Sequence, residues 1–279
     1  MRHRGIERKT PDQLRSMRRA GRIVAEVHSD LREAARPGVT TADLDQRARE
    51  ILARHQAASS FLGYGADWGM SPYPGVTCIS VNEEVVHGIP GSRVLVEGDL
   101  VSVDFGAIVD GWHGDGAVTF GVGALSDEDA ALSEVTRESL WAGIGAARLG
   151  GRIGDIAAAI EARVVGEQRS YGILRDYTGH GIGSAMHQPP DVPNRGRAGR
   201  GPRIEQGMAL ALEPMLTLGS DEGVTLDDEW TVATADGSRA AHWEHTITVT
   251  GAGLWVLTAP DGGEAELAAR GLPFGPLAD

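Results

Sequence analysis

The sequence predicts an α+β fold in which groups of antiparallel strands twice follow a pair of helices. Three observations carry this. Two segments of helical period open the chain and lead into grouped strand-like runs. The same order returns after residue 126. The strand runs are joined by short turns, which favours antiparallel pairing over a doubly wound parallel sheet. The halves share no identity that proves duplication, and no linker-like stretch parts them, so residues 1–279 read as one domain.

The first helix starts at Thr10-Pro11-Asp12-Gln13, a capping-box-like sequence with Pro at the first helical position. Leu14, Met17, Gly21, Val24, Val27 and Leu31 follow at helical spacing, and Arg36-Pro37-Gly38 should end the helix. A second helix starts at Thr40 or Thr41 and turns Leu44, Ala48, Ile51 and Leu52 inward. Residues 59–75, rich in Gly, Ser, Pro and aromatics, read as an irregular loop. Strands are predicted at 76–81, 100–108 and 112–120. Ser126 caps a third helix reaching about Leu149, where Gly150-Gly151 ends it, and a fourth runs from about Asp155 to Gln168. Strands recur near 174–178, 208–213, 229–234, 242–250 and 254–258. Residues 1–9 read as a basic arm, 194–203 as a flexible Gly/Arg loop and 260–279 as a loose C-terminal tail.

Composition narrows the function. At 41% hydrophobic and 23% charged, the chain is an ordinary globular one. A net charge of −13 argues against a dedicated nucleic-acid binder. The basic clusters at residues 2–9 and at Arg195, Arg197, Arg200 and Arg203 read as solvated arms. No apolar run approaches the roughly 18 residues of a membrane span, and no apolar stretch follows the basic N-terminus as in a secretory signal. The single cysteine, Cys78, excludes an intrachain disulfide and fits a reducing compartment, so a cytoplasmic protein is expected.

The chemistry starts from VSVDFGAIVDGWHGDG, residues 101–116. Val101, Val103, Phe105, Ile108 and Val109 look like strand core, yet Asp104 interrupts them, and a carboxylate buried without a partner is costly. Asp110-Gly111 is a strong two-residue hairpin signal. With those residues as the turn, Asp115 faces Gly106, and Asp104 and Asp115 become diagonal neighbours on one face, roughly 7–8 Å apart at the backbone. That spacing spans a metal ion and is poor for two unpaired anions. Glu213 closes the apolar run MALALE, and Glu244 shares a strand face with Thr246, Thr248 and Thr250. His180 in TGHGIG, His187 in MHQPP and His87 in VVHGIP lie beside Gly or Pro in predicted loops. Four half-buried carboxylates repel one another unless cations compensate. With imidazoles they make a hard, oxygen-rich ligand set suited to Mn, Fe(II), Co or a pair of catalytic Zn ions, rather than to a closed thiolate site.

Taken together, KTPDQLRSMRRAGRIVAEV, GVTCISVNEEVVHGIP, VSVDFGAIVDGWHGD, TGHGIG, ALEPM and WEHTITV resemble the type I methionine aminopeptidases, over nearly the whole chain and in this order. The resemblance implies the pita-bread fold, two pseudo-related helix-plus-antiparallel-strand halves around a central site in a single catalytic domain. It implies a dinuclear-metal aminopeptidase that removes N-terminal methionine by hydroxide attack on the first peptide bond. The metal ligands would be Asp104, Asp115, His180, Glu213 and Glu244, with Asp115 and Glu244 bridging two divalent ions (Co, Mn, Fe or Zn). Glu213 would also act as base toward the attacking water, and His87 and His187 would contact the substrate. Phe61, Tyr64, Tyr73, Cys78, Met186 and Trp230 would line the methionine pocket. The expected partners are nascent polypeptide and peptide N-termini with transient ribosome contact; no membrane is involved, and the chain is expected to act as a monomer.

Several positions depart from the family pattern. Residues 65–72 lengthen the loop before Tyr73, Met186 stands where an aromatic is common, and Gln188 where Glu is common. Gly106 and Gly116 replace small hydroxyl residues often found beside the two aspartates. Two other readings use the same motifs: an X-Pro-specific peptidase or other pita-bread hydrolase, and a non-catalytic, ribosome- or RNA-associated paralogue. Relatives of the first kind usually carry a large extra N-terminal domain, whereas only 86 residues precede His87 here. Paralogues of the second kind lose ligands that this chain keeps.

Overall fold

The structure is a computed structural model that describes residues 5–277. Helix α1 (Pro11–Ala34) starts where predicted because Thr10 and Gln13 cap each other reciprocally. Helix α2 (Thr41–His55) starts with the same device from Thr40 and Asp43. The chain then forms β1 (Ala58–Ser59), β2 (Thr77–Val81), β3 (Glu84–Val86), β4 (Leu100–Val109) and β5 (Trp112–Gly121). A second helix pair follows, α3 (Asp127–Ala146) and α4 (Ile153–Val165). After it come β6 (Gly172–Ile173), β7 (Gly179–Gly181), β8 (Gln188–Val192), β9 (Ala209–Leu212) and β10 (Met215–Thr217). The last elements are β11 (Gly223–Thr225), β12 (Val232–Thr234), β13 (Ala240–His242), β14 (Glu244–Val249), β15 (Leu254–Val256) and α5 (Glu264–Ala269).

One antiparallel sheet of nine strands runs in the order β1-β4-β5-β14-β9-β7-β8, with β2 also paired to β4 and β15 to β14. Two small three-stranded sheets, β13-β10-β6 and β11-β12-β3, flank it. The β4–β5 hairpin turns at Asp110-Gly111, both left-handed (φ 52° and 78°), as a type I′ turn requires. Its register pairs Gly106 with Asp115, as the turn predicts. Each helix pair covers one half of the sheet. Val24, Val27, Leu31, Leu44 and Ile51 pack on Val101, Val103 and Phe105. Leu140, Ile144, Ile156 and Ile160 pack on Leu210, Leu212, Ile247 and Val249.

Several boundaries and segments differ from the sequence reading. Helix α3 ends at Ala146, short of Leu149, because Ala147 is extended and Gly150 N–H turns away to Ile204 O. Helix α4 spans Ile153–Val165 because Asp155 serves the third helical position, its carboxylate accepting from Arg152 N–H. No strand covers 174–178; Gly172–Ile173 pairs with β10 instead. The C-terminal segment is not loose as far as residue 277: Leu267 is fully buried, and Leu254 exchanges hydrogen bonds with Pro273 and Gly275. Residues 278–279 lie outside the described residues, as do residues 1–4 of the basic arm. The rest of that arm is docked: Lys9 is buried, its N–H donates to Gly207 O, and Arg8 pairs with Glu205. The Gly/Arg loop is tied to the start of α4 by Gly154 N–H to Arg200 O and Gly199 N–H to Asp155 Oδ1, 2.9 and 2.7 Å. Among the described residues no helix is long and apolar enough to cross a membrane.

Candidate active site

The sheet order places the acidic residues. Asp104 on β4, Asp115 on β5, Glu244 at the start of β14, Glu213 just after β9 and His180 on β7 come from five strands adjacent in the sheet. Strand alternation sends Val103 and Phe105 toward α1 and α2 and Asp104 to the opposite face. His180 therefore lies in a strand, not in the predicted loop. One ligand atom each from Asp115, His180 and Glu244 falls within a mutual 4.8 Å, and His180 Nε2 is 3.4 Å from Glu213 Oε1. Asp104 lines the same cavity.

This cluster is under-satisfied as protein alone. Asp104 Oδ1, Asp115 Oδ1 and Glu244 Oε1 are buried without a hydrogen-bond partner. Burial pushes Asp115 up to about 7. It pushes Asp104, Glu213 and Glu244 well above the carboxylate range, and the charge of Asp115 adds to the push on each. Burial holds His180 down at about 3, with His187 adding to the effect. The His180 Nδ1–H donates to Gly181 O at 3.0 Å, which leaves the Nε2 lone pair facing Glu213. Acceptor-only oxygens and a presented imidazole lone pair are the donor set a divalent cation needs, so these residues fit one.

Beside this floor lies an apolar wall. Phe61, Tyr73, Cys78, Met186 and Trp230 form one buried cluster with Tyr64 at its edge, and all six expected pocket residues line a single cavity of about 330 Å³ with the acidic residues. Tyr73 is fixed by its hydroxyl, whose single proton is shared between Thr77 O and Gly88 O at 3.0 and 2.9 Å. Its ring meets Trp230 edge-on at 5.3 Å. His87, left-handed at φ 61°, lies between Tyr177 and Trp230, and His187 contacts both Tyr64 and the His180 ring. Burial holds His87 and His187 neutral, each down at about 4.

Comparison with known proteins fits this arrangement. Residues 15–251 match the model of metallopeptidase family M24. The chain belongs to metallopeptidase family M24, in its type I methionine aminopeptidase branch. It is 52% identical over 260 residues to methionine aminopeptidase 1 of Mycobacterium tuberculosis, covering 91% of this chain and 96% of that one. The corresponding protein of Bacillus subtilis is 47% identical over 250 residues, covering 90% and 98%. A methionine aminopeptidase of Thermotoga maritima superposes with a TM-score of 0.86 at 41% identity, covering 91% and 99%. A Bacillus anthracis Xaa-Pro dipeptidase shares the fold at a TM-score of 0.71 and 22% identity; the match covers 90% of this chain and 61% of that one. The pita-bread architecture and the use of divalent metal follow from membership in the family.

Three of the departures from the family pattern, Gly106, Gln188 and segment 65–72, have local explanations. Gly106 has no room for a side chain, since a Cβ there would come within 2.7 Å of Ser60 Cβ. Hydroxyl support for Asp115 comes instead from Thr246, whose Oγ1 donates to Asp115 O and accepts from Asp115 N–H, at 2.8 and 3.1 Å. Gln188 donates to Glu7, which also accepts from Ser184; burial pushes Glu7 up, but these hydrogen bonds prevail and bring it to about 2. The long segment 65–72 buttresses Trp230 from outside: Trp230 Nε1 donates to Ser71 O at 2.8 Å, and Ser71 Oγ donates to Glu229 Oε2 at 2.6 Å.

Two histidines behind the site escaped the sequence reading. His113 Nδ1 meets Ser60 Oγ at 2.9 Å. His242 is buried with both ring nitrogens unpartnered, and its Nε2 is 3.8 Å from Glu213 Oε2. The available signal was period two: each stands two residues before a candidate ligand, Asp115 or Glu244.

Proposed function

We propose that the chain removes the N-terminal methionine from nascent proteins and peptides, with Asp104, Asp115, His180, Glu213 and Glu244 holding a pair of divalent ions. The observation that supports the assignment is one cavity that joins the apolar wall to five convergent candidate ligands, three of which (Asp104, Asp115 and Glu244) carry a buried oxygen without a hydrogen-bond partner. Bound ions would neutralise the carboxylates, acidify a water and polarise a carbonyl. The chain's own residues do the rest. Phe61, Tyr64, Tyr73, Cys78, Met186 and Trp230 hold the methionine side chain, and the sulfur atoms of Cys78 and Met186 suit a thioether. Glu213, beside His180, accepts the proton of the attacking water. His187 donates a hydrogen bond to the carbonyl oxygen as it gains charge, and His87 contacts the reacting amide. With ions bound, the floor would take the free α-amino group as a metal ligand, which limits cleavage to the first bond.

The same reading has a monomer acting in the cytoplasm, a compartment that the single cysteine, Cys78, fits. The basic residues 2–9 and the exposed Arg195, Arg197, Arg200 and Arg203 of the 194–203 loop would be the contact points for the ribosome. Unchanged ribosome co-sedimentation after Arg-to-Ala changes in both clusters would remove that contact. An X-Pro peptidase is not favoured, because similarity to such enzymes reaches the fold alone. The decisive assay offers Met-Ala-Ser, Leu-Ala-Ser and Ala-Pro-Ser to metal-free protein titrated separately with Mn, Fe(II), Co and Zn. Metal-dependent release of methionine alone is expected; preferential cleavage before proline would overturn the assignment.

A further inference from the structure

We propose that Tyr64 is a positioning residue for His187: its phenol O–H donates to His187 Nδ1, fixes the imidazole proton on Nε2, and so aims a hydrogen-bond donor at the substrate. The proposal rests on the oxyanion role given to His187 above. The Tyr64 hydroxyl contacts His187 Nδ1, and the two rings meet edge-on with centroids 5.3 Å apart.

The direction of that hydrogen bond follows from acid strength. A neutral imidazole offers one N–H and one lone pair, and the nitrogen bonded elsewhere dictates which ring atom keeps the proton. A phenol is a far stronger acid than an imidazole N–H, and an imidazole nitrogen is a far stronger base than a phenol oxygen. The pair is therefore best matched with the phenol donating. With Nδ1 occupied, Nε2–H is the group that His187 has left for the cavity it lines.

Both sides of the contact are anchored. Tyr64 N–H donates to Phe61 O at 2.9 Å and Tyr64 O accepts from Tyr73 N–H at 3.0 Å, so the backbone of Tyr64 is pinned next to the buried Tyr73. The bend that carries His187 is tied to Glu7 through the Ser184 N–H and hydroxyl and the Gln188 side chain. A hydroxyl and an imidazole held from opposite sides can fix a tautomer; a mobile pair could not.

Tyr64→Phe tests the proposal, because it deletes the hydroxyl and keeps the ring. Two-bond ¹H–¹⁵N spectra of the metal-free protein, with His187 assigned from a His187→Gln variant, should show the Nε2–H tautomer in the parent. Tyr64→Phe should show a mixture of tautomers. In the metal-loaded enzyme kcat for Met-Ala-Ser should fall roughly tenfold, the loss of about one hydrogen bond's contribution to the transition state. KM should stay within about twofold, since the ring still packs against methionine. An Nδ1–H tautomer in the parent, an unchanged tautomer in Tyr64→Phe, or a rise in KM with kcat intact would overturn the proposal. Unchanged kcat in His187→Gln would instead sink the underlying role of His187, so the two failures are distinguishable.

Discussion

The acidic floor of the cavity is built by strands in register, whereas its apolar wall is built almost wholly by loops. Asp104, Asp115, Glu244, Glu213 and His180 stand on or directly after five neighbouring strands, where the hydrogen-bond ladder sets each backbone position. Of the six wall residues, Cys78 alone lies in a strand. Phe61, Tyr64 and Tyr73 sit on the 60–75 loop, Met186 on the bend at 183–187, and Trp230 at the turn between β11 and β12. The difference assigns two tasks to two kinds of structure. Mutually repelling carboxylates must be held by a framework that cannot relax away from them. A wall that takes one side chain and releases it needs shape, which loops tethered by a few hydrogen bonds supply and alter readily.

The comparison breaks first at the floor. Glu244→Gln or Asp104→Asn should lower kcat by at least about a thousandfold in metal-supplemented assays, with circular dichroism unchanged. Near-parental turnover in either variant would show that the strands do not carry the chemistry. Changing the wall should move selectivity before chemistry. Trp230→Ala should reduce discrimination of Met-Ala-Ser over Leu-Ala-Ser roughly tenfold or more. It should also cost about 3 kcal/mol of stability in urea melts, because Trp230 is only 9% exposed. Gly65→Ala acts on the same wall from outside: Gly65 has φ 86°, and a Cβ there would approach the Trp230 ring to 2.8 Å. KM for Met-Ala-Ser should rise by a factor of a few with kcat unchanged; a fall in kcat alone would mean that segment 65–72 serves the floor.

The smallest effect sharpens the contrast through pH. Burial holds Asp115 at about 7 in the folded protein, against an ordinary value near 4 in the unfolded chain. Between those values the unfolded chain releases a proton that the folded one keeps, so this residue's contribution to stability is lost as pH rises from about 4 to about 7. Asparagine has no such dependence. Calorimetry of metal-free protein should show Asp115→Asn gaining on the parent by a few degrees of Tm across that window. A gap that is constant with pH would mean that Asp115 is not held protonated.

The Asp104–Asp115 pair of the floor was legible in the sequence because it obeys period two and a recognisable turn, whereas the full set of five came with the family resemblance. Asp110-Gly111 set the register, the register set Gly106 opposite Asp115, and Asp104 followed from alternation. The capping boxes at Thr10 and Thr40 placed two helix starts for equally local reasons. The wall has no period to read, and its six residues were reachable only through family resemblance. The three-residue strands β10, β11 and β13 are too short to show alternation. The C-terminal segment looked loose because α5 has six residues and gains its order from burying Leu267 and from backbone hydrogen bonds to β15. His242 sat unnoticed two positions before Glu244, since what singles it out, two unpartnered ring nitrogens, is a property of its surroundings.

The claim that five strand-borne groups gather a pair of divalent ions is tested most directly by electron paramagnetic resonance during Mn(II) titration of the metal-free protein. The second equivalent should bring in an exchange-coupled dinuclear signal, and that signal should be missing from Glu244→Gln and Asp115→Asn. Free six-line Mn(II) from the first addition, or coupling that survives in both variants, would contradict the account.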